Sequence, residues 1–172
     1  MMKRWLTLSA VIVCLSCLAV GGLSCLGGHK VAVGTFFSIV LPETWFVHPA
    51  GTDDLDAVVW LHNAEYGAFV RVIPVPGVKL TPLGVARVLM PELQKGRYGF
   101  RSDQLPADDR GQDVAIEYCN DLDGDSGYLA VSRVRGDPEL IAVFVGVAYI
   151  RCGPQLARDL KNITRSARVI KK

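Results

Sequence analysis

Metal and nucleophile chemistry draws mainly on histidine and cysteine, and this sequence has little of either: three histidines and five cysteines in 172 residues. Three of the cysteines, Cys14, Cys17 and Cys25, fall within the first 25 residues, so the remainder keeps only Cys119 and Cys152. With no CxxC pair and no Cys/His cluster there, zinc binding and thiol redox chemistry lack ligands, and neither a metal nor a cofactor is expected. A charge excess is missing too. The chain carries 19 Lys+Arg against 17 Asp+Glu, and removing Lys3 and Arg4 with the leader leaves 17 basic against 17 acidic residues. Nucleic-acid binders need a basic excess to neutralise phosphates, so that class is set aside. Internal repeats and low-complexity linkers are likewise absent.

What is present is a globular composition, 50% hydrophobic and 21% charged, behind an export-like leader. Lys3-Arg4 is a positive n-region, Leu6 to Val20 an apolar run, and Gly21-Gly22 a small-residue stretch. Gly22-Leu23-Ser24-Cys25 resembles a bacterial lipobox, in which the cysteine is acylated and becomes the first residue. On that reading residues 1–24 are a signal peptide, 25–35 a short tether and 36–172 one domain. Leu26, unlike the Asp that retains many lipoproteins in the inner membrane, then points to the outer membrane. Two alternatives stay open: a soluble periplasmic protein cut after Ala19-Val20-Gly21, or an uncleaved anchor over Leu6 to Leu26. An exported domain with Cys119 and Cys152 also invites a disulfide, although spacing alone does not bring two Cα atoms within bridging distance.

β-prone runs cover Phe36 to Leu41, Trp45 to Val47, Ala57 to His62 and Ala68 to Ile73, the last two joined through Asn63 to Gly67. Trp45 and Phe46 are expected in the core. Thr81-Pro82 offers an N-cap and a first-turn proline, and Leu83, Ala86, Leu89, Met90 and Leu93 share one face of a helix from Pro82 to Lys95, with a kink expected at Pro91. Three strand-like runs follow, Gln112 to Cys119, Gly127 to Arg135 and Glu139 to Ile150, joined by short turns that imply an antiparallel meander. The last is apolar on both faces, which suits a central strand. A final helix from Gly153-Pro154 places Leu156, Leu160, Ile163 and Ala167 on its core face. The order gives an α+β class, an antiparallel β-sheet flanked by helices in an α/β/α sandwich.

Phe37-Ser38-Ile39-Val40-Leu41-Pro42-Glu43-Thr44-Trp45 resembles the F-x-I-x-x-P-x-x-W opening of PsbP/DcrB-like proteins. That family also has a mid-chain helix, a meander and a C-terminal helix with a tail like Ile163-Thr164-Arg165-Ser166. The resemblance implies a small accessory or adaptor domain, and no single ligand or reaction.

Gly124-Asp125-Ser126-Gly127 is similar to the stretch around the nucleophile of trypsin-like proteases, with His62 upstream, but Tyr128 breaks the match and no scaffold for a triad is evident. Asp121-Leu122-Asp123-Gly124-Asp125 begins like a calcium loop, yet Ser126 and Ser132 occupy the positions that need Gly and Glu. Charge is segregated: ten acids lie between Asp103 and Glu139, whereas seven basic residues against Asp159 alone lie between Arg151 and Lys172. Arg158, Lys161, Arg165 and Arg168 repeat at three and four, a candidate surface for a partner or for anionic lipid, and Lys171-Lys172 extend it. The bland alternative is a solvated helix face. Trp45, Trp60, Tyr66 and Phe69 are candidates for a ligand groove or for the core. The expected function is a non-enzymatic, membrane-tethered envelope accessory that binds another envelope protein. The alternative is a carrier of a small molecule or lipid, with a pocket between sheet and helix.

Overall fold

Phe37, Ile39 and Leu41 alternate with Ser38 and Val40, so an extended chain turns three large apolar side chains to one side. All three are fully buried on β2 (Phe37–Pro42). The computed structural model describes residues 28–49, 59–95, 99–119, 126–149 and 154–170. On one side β2 pairs antiparallel with β1 (Gly28–Val33), from Gly28 opposite Pro42 to Val33 opposite Phe37; on the other it pairs with β9 (Arg168–Val169). Residues 28–33, expected in the tether, are therefore a strand of the domain, with Val33 buried and Val31 packed against the core. The apolar alternation of Val31 and Val33 is what places them there.

Pro42 and the Glu43-Thr44 turn carry the chain into a second sheet. Its six antiparallel strands run in the order β3 (Trp45–Pro49), β4 (Val59–Asn63), β5 (Ala68–Val75), β8 (Ile141–Ala148), β7 (Ser126–Arg133), β6 (Val114–Cys119). The turn between β4 and β5 is built on Asn63, fully buried, whose Oδ1 accepts the N–H groups of Glu65 (2.9 Å) and Tyr66 (3.2 Å). Gly67 closes that turn at φ +54°, a conformation glycine adopts without a Cβ penalty. The expected meander is β6–β7–β8, and β8 is indeed central, with both faces buried along most of its length. Gly146 marks its closest approach to β5: a Cβ there would stand 2.2 Å from the Phe69 carbonyl oxygen.

Both faces of the six-stranded sheet build a core. One face presents Trp45, Leu61, Val70, Val72, Ala130 and Phe144 to the three-stranded sheet and to helix α2 (Pro154–Arg165), which contributes Leu156, Leu160 and Ile163. The other presents Val114, Ile116, Leu129, Val131, Val143 and Val145 to helix α1 (Pro82–Lys95), through Leu83, Ala86 and Met90. Thr81 caps α1, its Oγ1 accepting the Gly84 N–H at 3.0 Å. The expected interruption at Pro91 does not divide α1, which runs on to Lys95 with Pro91 exposed. Phe46, expected in the core, is 55% exposed, because alternation on β3 sends Trp45 inward and its neighbour outward.

Candidate functional site

The basic residues singled out in the sequence do not all lie on one helix. Arg158, Lys161 and Arg165 form an exposed row on α2, opposite the buried Leu156, Leu160 and Ile163. Arg165 stands in the last turn, where a cation meets the negative end of the helix dipole. Arg168 departs from the expected helix. The Ser166 side chain ends α2 by donating to the Ile163 carbonyl (2.6 Å) and accepting the Val40 N–H (2.8 Å), and the chain then enters β9. Ala167 is buried as expected, but beyond the helix rather than on its stripe. Arg168 consequently lies on the small sheet opposite Ser38, and beside Arg135 in an isolated parallel bridge. Sequence reasoning missed Arg135, since nothing local in Arg133-Val134-Arg135-Gly136 announces a partner 33 residues on. None of Arg135, Arg158, Lys161, Arg165 and Arg168 has an ion-pair partner among the described residues.

Cys25, Cys152, Lys171-Lys172 and the acidic stretch from Asp121 to Asp125 lie outside the described residues. Cys119 ends β6 opposite Ser126. Ser126 is buried and its Oγ lies 3.5 Å from the Ala148 carbonyl. In register it shares a sheet face with Trp45, while His62 lies one row along on the opposite face, so the structure does not bring Ser126 and His62 together.

The aromatic candidates separate cleanly. Trp45 is fully buried and its Nε1–H donates to Asp159 Oδ2 at 3.2 Å, while Gln155 Nε2 donates to Oδ1 at 2.7 Å. A carboxylate 7% exposed is thereby satisfied with no salt bridge from the described residues. Tyr66 packs half-buried against this core, and desolvation first, then the Asp159 charge, pushes its phenol above the usual value. Tyr128, 5% exposed, lies 3.3 Å from the Thr164 hydroxyl. Burial outweighs that hydrogen bond and pushes its pKa up to about 12.

Trp60 and Phe69 belong elsewhere, on the half of the sheet that α1 leaves uncovered. α1 packs over β6, β7 and β8, whereas on β3, β4 and β5 the same face carries Phe46, His48, Trp60, His62, Phe69 and Arg71, joined from the end of β8 by Tyr149. Phe69 is 38% and Tyr149 60% exposed. Four of the rings form a continuous ladder, His48 lying 5.5 Å from His62, His62 stacking on Phe69 at 4.6 Å and Phe69 meeting Tyr149 edge-on at 6.4 Å, and beside it the Arg71 guanidinium sits 5.4 Å from the Trp60 ring. Two shallow hollows adjoin along β5 and β8, one of about 350 Å³ bounded by Trp60, Phe69, Val147 and Tyr149, the other of about 190 Å³ and wholly apolar, between Ile73, Val75, Leu80, Val88 and Val143. Between sheet and α2, by contrast, the void beside Tyr128 and Leu160 measures about 20 Å³, room for one water. Among the described residues no group of three or more His, Cys, Asp or Glu side chains is placed to hold a metal ion. None of their helices is long and apolar enough to cross a membrane.

No family model and no curated protein matches the sequence. Solved structures do resemble it. Protein Mog1, determined as a point mutant, aligns over 86% of this chain and 98% of its own with 12% identity and a TM-score of 0.50. The cyanobacterial PsbP protein CyanoP of Synechocystis sp. PCC 6803 aligns over 87% of this chain and 96% of its own, with 13% identity and a TM-score of 0.49. At such identities the likeness concerns the fold, which is α+β and Mog1-like.

Proposed function

We propose that this chain is a non-enzymatic adaptor domain of the bacterial cell envelope, tethered through an acylated Cys25 and binding another envelope protein on the uncovered half of its large sheet. The observation that carries the reading is the aromatic ladder of His62, Phe69 and Tyr149, with Trp60 beside it on the same hollow, which leaves large rings exposed on a sheet whose other half is sealed by α1. Contiguous exposed apolar surface of this kind is characteristic of protein contact sites, where aromatic residues supply much of the binding energy. The export-like leader and the lipobox-like Gly22-Leu23-Ser24-Cys25 support the address. The test is a photo-crosslinking residue placed at Phe69 or Tyr149 in the full chain, activated in the native cell. One stoichiometric protein adduct is expected, absent when the probe sits at exposed Glu92 on α1. Failure to capture any protein at either position sinks the adaptor reading. Cys25→Ala is expected to move the protein from the membrane to the soluble fraction, and unchanged partition refutes the anchor.

The wholly apolar 190 Å³ hollow favours a second reading, a carrier of an apolar small molecule or lipid tail held between β5 and α1. Native mass spectrometry separates the two: a carrier retains a co-purifying molecule, an adaptor does not.

A further inference from the structure

Arg135 and Arg168 stand opposite each other where the chain after β7 meets β9 in a parallel bridge. Val169 N–H donates to the Arg135 carbonyl at 3.0 Å and Arg135 N–H to the Ala167 carbonyl at 3.2 Å, so two backbone bonds fix the juxtaposition. Directly paired positions on adjacent strands send their side chains to the same side, with Cβ atoms roughly 5 Å apart. Both arginines are exposed, and neither guanidinium has a hydrogen-bond or ion-pair partner among the described residues. Like charges in that position repel, and the repulsion is relieved by an anion supplied from outside.

The surroundings extend the same field. Arg165, Lys161 and Arg158 continue from Arg168 along the exposed row of α2. On the small sheet Lys30 shares the outer face of Arg168 by register, through Val40 and Ser38, and Val40 adds a 44% exposed apolar contact. The nearest acids in sequence are Asp137 and Glu139; Asp137 is turned into its own loop, its Oδ1 accepting the Glu139 N–H at 2.9 Å, and neither reaches Arg135 as an ion pair. Only Leu26 and Gly27 separate Cys25 from the first residue of β1, so in the proposed anchored form the chain lets the Cys25 Cα stand at most about 11 Å from that residue.

We propose that this surface rests on an anionic bilayer, with the Arg135–Arg168 pair taking lipid phosphates and the α2 row and Lys30 widening the contact. Guanidinium forks suit phosphate oxygens, and a spread of cations over a helix flank and a sheet face fits a plane of headgroups better than one buried partner group. The inference rests on the envelope reading only in placing the domain beside a membrane. Its test is flotation of the full chain carrying Cys25→Ala with vesicles of phosphatidylethanolamine, with and without phosphatidylglycerol, so that any apolar insertion by the leader contributes equally to both. Binding is expected to rise with phosphatidylglycerol, to fall with added salt, and to drop roughly tenfold or more in Arg135→Glu with Arg168→Glu. The charge-matched control Lys79→Glu with Lys95→Glu is expected to bind as before. Should the reversed pair melt early, Arg135→Gln with Arg168→Gln reads the same loss. Flotation indifferent to phosphatidylglycerol, or unchanged in both arginine variants, overturns the proposal. Cross-linking at Phe69 reads the adaptor function separately, on another surface and without lipid charge.

Discussion

Trp45 shows how one residue joins two elements. Its ring fills the core beneath the small sheet, and its indole N–H is one of two donors holding the Asp159 carboxylate of α2. Trp45→Phe keeps most of the apolar area but leaves Asp159 with Gln155 alone, which is expected to lower stability by about 1.5–3 kcal/mol, the range for a hydrogen bond to a charged group. Thermal or urea unfolding followed by circular dichroism measures it, and a loss near zero would mean water replaces the indole. Tyr128 makes a prediction at high pH. Its phenol is pushed up to about 12 in the folded protein against an ordinary value of 10.0, so folding favours the neutral form. The resulting stability is complete below pH 10 and disappears as the pH rises through 12. Tyr128→Phe is therefore expected to flatten the alkaline limb of the stability profile, and an identical limb in both proteins would assign the loss to another group. Alternation makes the inward direction of Trp45 legible in sequence. Asp159 was not legible as its partner, because the pair is 114 residues apart and only the docking of α2 unites it.

At the scale of elements, the periodic signals carried furthest. The helix over Pro82 to Lys95 follows from its apolar spacing and its Thr-Pro start, and β8 declares itself by being apolar on both faces. Thr81 is the point where that start is checked. It accepts the Gly84 N–H and donates to Asp109, whose carboxyl is held below its usual range by the Thr81 hydroxyl first and by the Gly111 N–H second. Thr81→Ala is expected to lower stability by about 1 kcal/mol through loss of the cap. It is also expected to raise the Asp109 pKa toward the ordinary value. A depressed carboxyl stabilises the fold above its unfolded value and ceases to do so as the pH falls through the folded value, so the variant is expected to lose less of its stability on acidification. Carbon-detected NMR titration of Asp109 in both proteins measures the shift, and no change would show that Gly111 holds the carboxyl alone. The end of α2 was less legible. The spacing of Arg158, Lys161, Arg165 and Arg168 continues a helical period, and only the Ser166 side chain, bonded to the Ile163 carbonyl and to the Val40 N–H of another sheet, breaks it. A two-residue strand such as β9 carries no periodic signal of its own.

Taken whole, the molecule is a six-stranded sheet covered on one face from β3 to β7, with β6 left exposed there at Ala115 and Glu117, and on the other face over the half nearer β6. The sequence foretold both helices and the meander but not the unequal cover, because a residue's neighbours across a sheet depend on strand order rather than on spacing. The candidate surfaces share that limit: Trp60, Phe69 and Tyr149 meet only through the pairing of β4, β5 and β8, and Arg135 meets Arg168 only through β9. Deleting the chain from Ser166 onward removes Ala167 and Val169 from the core together with the edge pairing of β2. The expected result is a lower melting temperature and faster amide exchange at Val40, whose N–H loses the Ser166 acceptor, while amides of β7 and β8 stay protected. Exchange accelerated equally in every strand would show instead that the domain opens as one unit.

The small sheet also sets a timetable. Its middle strand is flanked by residues 28–33 on one side and by residues 168–169 on the other, so it is not closed until a segment 130 residues further along has been synthesised. Such long-range pairing delays stable folding on the ribosome. Under the export proposed above, a chain still open when it reaches a translocation channel can be threaded, and the same two residues that complete the sheet would lock it once across.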